Sequence, residues 1–266
     1  MKVSIVTPSF NQGQFLERTI QSVLQQDVEG LEYIVIDGGS CDNSHTVLEE
    51  YRTQLTHLII EPDEGQADAL RKGFLLTTGE VLAFLNSDDV LLPGALEFVQ
   101  RFFADHPEID AVYSHRVFID AQDRVIGFWI LPMHSSYFMS RWDFIPQETC
   151  FWRRSLMERA GPVDASYHFA LDYELFVRMM KTGRFARANR FLSAFRRHEL
   201  SKSTTRYETV GRQEVLRVRA QHQVCIRWYD QVLGYLVGGS IHAVSFLFGL
   251  FATDVVRARI GTFRNR

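Results

Sequence analysis

Apolar residues in the first third of the chain fall into short continuous runs separated by stripes at three- and four-residue spacing. The runs at 3–7, 31–36, 58–60 and 81–85 have the length and composition of strands buried on both faces. Between them, Phe15, Leu16, Ile20, Val23 and Leu24 share one helical face, and Ala69, Leu70, Phe74 and Leu75 mark another. A helix between these two is predicted to start near residues 42–44. Strands alternating with helices predict a mainly parallel sheet flanked by helices, an α/β fold.

Beyond residue 89 the pattern loosens. A helix is predicted at 93–105, then a strand at 111–119 and a second at 125–131 that pairs with it across the turn at 121–123. Residues 132–146 are aromatic and irregular, with Tyr137, Phe138, Trp142 and Phe144. A short strand at 149–152, a helix at 155–160 closed by Gly161-Pro162, a helix from Asp172 to 181 and a strand at 191–197 follow. One helix is predicted over 207–229. Residues 233–253 then form an apolar stretch whose one strongly polar member is His242. This divides the chain into an α/β domain at 1–205 and a helical, partly hydrophobic tail at 206–266.

Composition narrows the function classes. The 266 residues suffice for a sizeable core, and a net charge of -3 argues against a nucleic-acid partner. Three widely spaced cysteines, Cys41, Cys150 and Cys225, fit a reducing compartment better than a disulfide framework or a zinc site. The first residues enter a strand directly and lack the pattern of a signal peptide.

Candidate chemistry gathers at the strand ends. Open α/β sheets bind ligands beyond the carboxyl ends of their strands. Pro8, Ser9 and Asn11 follow the first strand, Asp37 the second, and Asp88 and Asp89 the fourth. Adjacent carboxylates suit a hard divalent cation that leaves positions open for phosphate oxygens; the same residues also make ordinary turns and helix caps. Asp37 suits a base N–H or a ribose hydroxyl, or an Asx-turn into Gly38-Gly39. Neither GxGxxG after the first strand nor GxxxxGK occurs, which removes the dinucleotide fingerprint and the P-loop.

Taken in order, these segments resemble family 2 glycosyltransferases of the GT-A fold, Rossmann-like nucleotide-diphospho-sugar transferases of bacterial surface polysaccharide and glycolipid synthesis. Val3 to Asn11 resembles their opening strand, and Ile20-Gln21-Ser22-Val23-Leu24-Gln25-Gln26 their first helix. Val35-Ile36-Asp37-Gly38-Gly39-Ser40 is similar to the second strand end. Asp63-Glu64-Gly65-Gln66-Ala67-Asp68 resembles the donor-side helix, and Ser87-Asp88-Asp89 the DXD-type motif. Pro146 to Arg154 resembles the acceptor-side segment, and Ala170-Leu171-Asp172-Tyr173-Glu174 the motif of the catalytic base. The resemblance covers residues 1 to about 203.

By position it implies that Asp37 contacts the nucleobase, uracil in many relatives, with Pro8 lining that pocket and Gln66 and Asp68 nearby. Asp88 would hold the ribose, Asp89 a Mg²⁺ or Mn²⁺ on the diphosphate, and Asp172 would be the general base. His198 is the position from which relatives reach the metal or diphosphate, and also an ordinary structural histidine. Arg196 and Arg197 suit either the diphosphate or the surface. Gly38 departs from the family, many members having a second acid there.

The chemistry asks for these residue types. Glycosyl transfer develops an oxocarbenium-like centre while negative charge grows on the leaving diphosphate. A cation stabilises that charge, and a carboxylate takes the acceptor's proton. One carboxylate opposite the leaving group implies single displacement, hence inversion. The expected partners are a nucleotide-sugar donor, a UDP-sugar favoured, and a glycan or lipid-linked acceptor.

The alternative is a non-catalytic nucleotide-sugar or glycan binding module of the same fold. A sugar nucleotidyltransferase is disfavoured because Pro8-Ser9-Phe10-Asn11 is not a glycine-rich basic loop. The stretch at 233–253, followed by Arg257, Arg259, Arg264 and Arg266, suits contact with an anionic membrane from the cytoplasmic side. A spanning helix, an interfacial helix and a packed helix all fit its composition. The interfacial one agrees best with a cytoplasmic enzyme at the inner face of the plasma membrane.

Overall fold

The structure, a computed structural model, describes residues 1–199, 201 and 207–261, with side chains of the last helix through residue 250. Leu200, Arg264 and Arg266 lie outside the described residues, as do the side chains of Arg257 and Arg259.

Strands β1 (Val3–Ser9), β2 (Leu31–Asp37), β3 (His57–Ile60) and β4 (Val81–Phe84) pair in parallel, β1 lying between β2 and β4. Their alternating side chains feed two cores. Val6, Ile34, Ile36, Leu82 and Phe84 face one layer, and Val3, Ile5, Tyr33, Val35 and Val81 face the other. Both layers are apolar because helices cover both faces, so these strands read as unbroken hydrophobic runs. The covering helices include α1 (Gly13–Leu24), α2 (Ser44–Tyr51) and α3 (Gln66–Leu76). Helix α3 lies close on the sheet at Gly73, where a Cβ would meet the side chains of Val6 and Ile36. Leu75, placed on the buried stripe by its spacing, is instead 81% exposed. It lies about 100° around the helix from Phe74, which takes the core position.

The second half makes the sheet mixed. It adds β5 (Val90–Leu91), β6 (Ala111–Ile119), β7 (Val125–Trp129), β8 (Phe151–Arg153) and β9 (Phe185–Arg196). The described residues form one nine-stranded sheet in the order β3-β2-β1-β4-β8-β6-β9-β5, with β7 hairpinned on β6. Strand β8 runs antiparallel to both β4 and β6, whereas β9 runs parallel to β6. Strand β9 begins six residues before its expected start. Its first half, Phe185-Ala186-Arg187-Ala188, is polar and apolar by turns and shows no continuous run. Strand β5, two residues long, is too short to carry a period.

Helices α4 (Ala95–Asp105), α5 (Ser136–Trp142), α6 (Arg154–Ala160) and α7 (Leu171–Met179) follow the predicted order, α5 lying in the segment read as irregular. The single helix expected at 207–229 is broken. A π-helical turn (Tyr207–Gly211) leads into α8 (Arg212–Gln221), and Gln223 at φ 58° ends it before α9 (Trp228–Gly261). Helix α8 belongs to the main core. Val218 is fully buried there, and Gln221 Oε1 accepts a hydrogen bond from the Tyr167 hydroxyl at 2.8 Å.

Candidate active site

The carboxyl ends of β1, β2 and β4 open onto a cavity of about 640 Å³. Its walls combine donor-side residues (Pro8, Gly38, Asp63, Gln66) with Asp88 from the fourth strand end and with Arg116, Asp143 and Asp172 from the second half. A polar chain fixes the middle. Gln66 Nε2 donates to Asn86 Oδ1 at 2.6 Å, Asn86 Nδ2 to Gln147 Oε1 at 3.1 Å, and Gln147 Nε2 to the Phe84 carbonyl at 2.6 Å. Each amide thereby has a set orientation before any ligand arrives.

Asp37 is buried and does not line this cavity. Its Oδ1 accepts the amides of Gly39 (3.1 Å) and Ser40 (2.8 Å), and its Oδ2 the Ser40 hydroxyl (2.7 Å). It builds the Asx-turn that the sequence left open. Asp63 faces the cavity beside it. A Cβ at Gly38 would come within 2.6 Å of Asp63 Oδ2, so the missing side chain is what admits this carboxylate. Burial raises the Asp63 carboxyl. Asp68 is not at the cavity wall; it pairs with Lys72 at 3.4 Å at the start of α3.

The two acids after β4 differ. Asp88 lines the cavity, and its Oδ2 lies 3.0 Å from His198 Nε2. His198 packs against Phe15, ring centroids 4.7 Å apart. Asp89 is turned inward with no exposed surface, its Oδ1 accepting the Arg196 amide at 2.9 Å. Burial first, then the charges of Asp88 and Glu148, push its carboxyl well above the ordinary range. Arg196 is buried as well. Its Nε donates to the Asp88 carbonyl at 2.8 Å, so it braces the acidic turn rather than facing a ligand. Arg197 stacks 3.9 Å over the Phe118 ring.

Among the described residues, no group of three or more His, Cys, Asp or Glu side chains could enclose a metal ion. Asp88 at the cavity wall and His198 behind it nonetheless offer an oxygen and a nitrogen donor side by side. That set would suit a first-row divalent cation, provided most of its remaining positions were filled from outside the protein.

Asp172 is the second residue of α7 and not its cap; its Oδ1 accepts the Tyr173 amide at 2.9 Å. Burial raises its carboxyl, against that amide and the nearby Arg116. Glu214 of α8 sets the entrance to this helix, its carboxylate accepting the amides of His168 (2.9 Å), Phe169 (2.8 Å) and Ala170 (2.9 Å). A carboxylate there satisfies free N–H groups and complements the helix dipole. Arg116 lies across from Asp172, held by Glu148 through two hydrogen bonds of 2.8 and 2.7 Å.

Asp143, the left-handed residue that ends α5 (φ 49°, ψ 54°), also lines the cavity. Burial and then the charge of Asp172 push its carboxyl up to about 8. Sequence reasoning missed Asn86, Asp63, Arg116, Glu148, Asp143 and Glu214. Asn86 and Asp63 stood beside motif residues and could have been found. The others depend on the pairing of β6, β8 and α8, which no local spacing announces.

Comparison with known proteins agrees with this architecture. The model of the family Glycosyl transferase family 2 matches residues 4–160. An uncharacterized glycosyltransferase of Nostoc sp. is 31% identical over 176 residues, 62% of this chain and 54% of the relative. The chain thus spans about half the length of that relative. A PGL/p-HBAD biosynthesis glycosyltransferase of Mycobacterium bovis is 28% identical over 182 residues, 66% of this chain and 68% of the relative.

Among solved structures, Staphylococcus aureus TarS 1-349 in complex with UDP-GlcNAc matches with a TM-score of 0.62 at 18% identity. It covers 89% of this chain and 70% of that one. The mannosyltransferase PcManGT of Pyrobaculum calidifontis, in complex with GDP-Man and Mn²⁺, matches with a TM-score of 0.63 at 16% identity, over 98% of this chain and 73% of that one. Such low identities speak to the fold alone. With a family model matching well over half of its residues, the chain belongs to glycosyl transferase family 2.

Proposed function

We propose that the protein transfers a sugar from a nucleoside diphosphate donor, a UDP-sugar in the first instance, to a hydroxyl of a glycan or lipid-linked acceptor, with inversion. Surface polysaccharide or glycolipid synthesis is the setting this reading favours. The observation that carries it is the opening of Asp88, paired with His198 behind it, and of Asp172 onto one cavity at the strand ends. A cation on the leaving oxygen and a base on the attacking hydroxyl would then act on opposite sides of the anomeric carbon.

Pro8 packs against the nucleobase and Asp63, above Gly38, accepts a base N–H, while Asp37 holds the turn beneath them. Gln66 and Asn86 hold the ribose and diphosphate side through their fixed amides. Asp88 and His198 would hold Mg²⁺ or Mn²⁺, with Asp89 behind them; that cation, when bound, neutralises charge on the departing diphosphate. Asp172 takes the acceptor proton as its oxygen attacks the anomeric carbon. Its raised carboxyl makes it a better base than an ordinary aspartate near neutral pH. Asp68 has no donor contact and braces α3.

Thermal-shift measurements test the donor side. UDP, GDP, dTDP and CMP are compared with and without Mn²⁺ on wild type and Asp88→Ala. At about 100 times its dissociation constant, a binding nucleotide adds roughly 2.7 kcal/mol of stability. The expected result is stabilisation by UDP that needs the metal and is lost in Asp88→Ala. Equal stabilisation with and without metal would remove the cation from the reading.

We also propose that α9 lies on a lipid surface. Residues 228–250 are long and apolar enough to cross a membrane, at a mean hydropathy of 1.6. One stripe of the helix is docked on the domain along this whole length. Asp230 accepts from Tyr137, Gly234 abuts Trp142, the Ser245 hydroxyl accepts from the Ile130 amide at 2.8 Å, and Phe248 packs on Phe128 and Phe191. Lengthwise docking favours an in-plane helix over a span. The opposite face leaves Tyr235, Leu236, Leu247 and Leu250 more than half exposed. Wild type is expected to float with anionic vesicles, and the double variant Leu236→Glu, Leu247→Glu to stay at the bottom of the gradient. Flotation of both would remove this face as the contact.

A further inference from the structure

We propose that Asp143 is a second carboxyl of the acceptor subsite, which binds a hydroxyl next to the attacking one and so selects sugar diols over isolated alcohols. The inference rests on the transferase reading above and specifies its acceptor.

The acids around it are all satisfied. Glu148 is held by Arg116, Glu214 by three amides, and Asp230 by Tyr137 and the Arg227 amide. Asp143 differs. Among the described residues its carboxyl has no hydrogen bond or ion pair, only the longer-range charges of Asp172, Arg116 and Arg219. It nevertheless lines the cavity that Asp172 lines.

Its backbone sits in the left-handed region, where a side chain other than glycine is strained. Asp27 and Asp123 adopt the same region, so the turn alone accounts for the backbone; the unpartnered carboxyl facing the cavity is what sets Asp143 apart. The aromatic rings of Trp129 and Phe195 line the same cavity and offer flat apolar faces to a sugar ring. A charged base and a neutral carboxylic acid side by side can each engage one of two neighbouring hydroxyls. Asp172 receives the proton of the attacking oxygen, and Asp143 donates to or accepts from its neighbour without being consumed.

Charged and titratable groups reach Asp143 from three elements: Asp172 and Tyr173 from α7, Arg116 from β6 and Arg219 from α8. Its raised carboxyl binds a proton more tightly in the folded state. This makes a contribution that is full below about pH 4 and is lost as pH rises toward about 8.

The test compares wild type, Asp143→Asn and Asp143→Gly, with a UDP-sugar and Mn²⁺. The acceptors are octyl glycosides, their monodeoxy analogues, and 1-octanol. Wild type should use a glycoside with adjacent free hydroxyls and discriminate against its deoxy analogue and octanol by about 10–100-fold, the worth of one good buried hydrogen bond. Asp143→Gly should lose that discrimination through a raised acceptor KM, with the donor KM unchanged, whereas Asp143→Asn, whose amide can still donate and accept, should keep much of it.

Asp143→Gly should be at least as heat-stable as wild type, since it relieves the left-handed strain; a purely structural role predicts the reverse. Asp143→Asn should flatten the fall in stability between about pH 4 and 8. Unchanged discrimination in Asp143→Gly, or wild-type transfer to octanol as efficient as to the glycosides, overturns the inference and leaves the transferase reading standing. Absence of any transfer by wild type removes both.

Discussion

Asp172→Asn is expected to lower the rate of glycosyl transfer by about 100- to 10,000-fold, the usual contribution of a positioned general base. The substitution keeps the shape of the side chain, and its amide oxygen can still accept the Tyr173 N–H. The folded state and donor affinity should therefore survive. Isothermal titration with UDP and Mn²⁺ should give the wild-type affinity, while single-turnover transfer collapses. Parallel loss of nucleotide binding would instead mean that Asp172 supports the fold of the cavity. Retained transfer would remove it as the base.

The second large effect is one of stability. Glu148 is buried and carries both hydrogen bonds to the Arg116 guanidinium, which is also mostly buried and has the Phe195 ring 4.5 Å from its centre. Glu148→Ala leaves that cation without its partner in a low-dielectric wall. Breaking a buried pair in this way costs about 3–5 kcal/mol. Denaturant unfolding of the two proteins measures the difference directly. The double variant Arg116→Met, Glu148→Leu should regain much of it, because no uncompensated charge then remains. A loss under about 1 kcal/mol in the single variant would mean that solvent already compensates Arg116.

These two residues also mark how far the sequence could be read. Strands β1, β2 and β4 are buried on both faces and β3, at the edge, is half-buried, so their apolar runs announced them, and in a parallel sheet their ends meet at one edge. Asp88 was legible for that reason, standing where an apolar run gives way to a turn; Asp172, on a helix of the second half, was singled out only by its motif's resemblance to the family. Roles were harder to read than places. Asp37 and Asp89 carry the right chemistry in the right order, yet both point inward: the turn at Gly39-Ser40 and the Arg196 amide consume their oxygens.

The Arg116–Glu148 pair was invisible because it joins residues 32 positions apart through β6 and the turn before β8. Glu214 lies farther away, in a segment that reads as a surface helix. Its carboxylate reaches the α7 entrance only once α8 has packed on the core. Asp143 sits in a stretch without period, where a left-handed residue gives no pattern to find.

The most direct test of the central claim follows nucleoside diphosphate release. Wild type is incubated with UDP-GlcNAc and other UDP-sugars, with Mn²⁺ and detergent-solubilised lipid and glycan acceptors. The account predicts release of UDP that requires the metal and an acceptor, yields a product of inverted anomeric configuration, and falls to background in Asp172→Asn. An intact donor in every mixture, alongside metal-dependent UDP binding, would contradict it and leave a binding module on a glycosyltransferase fold.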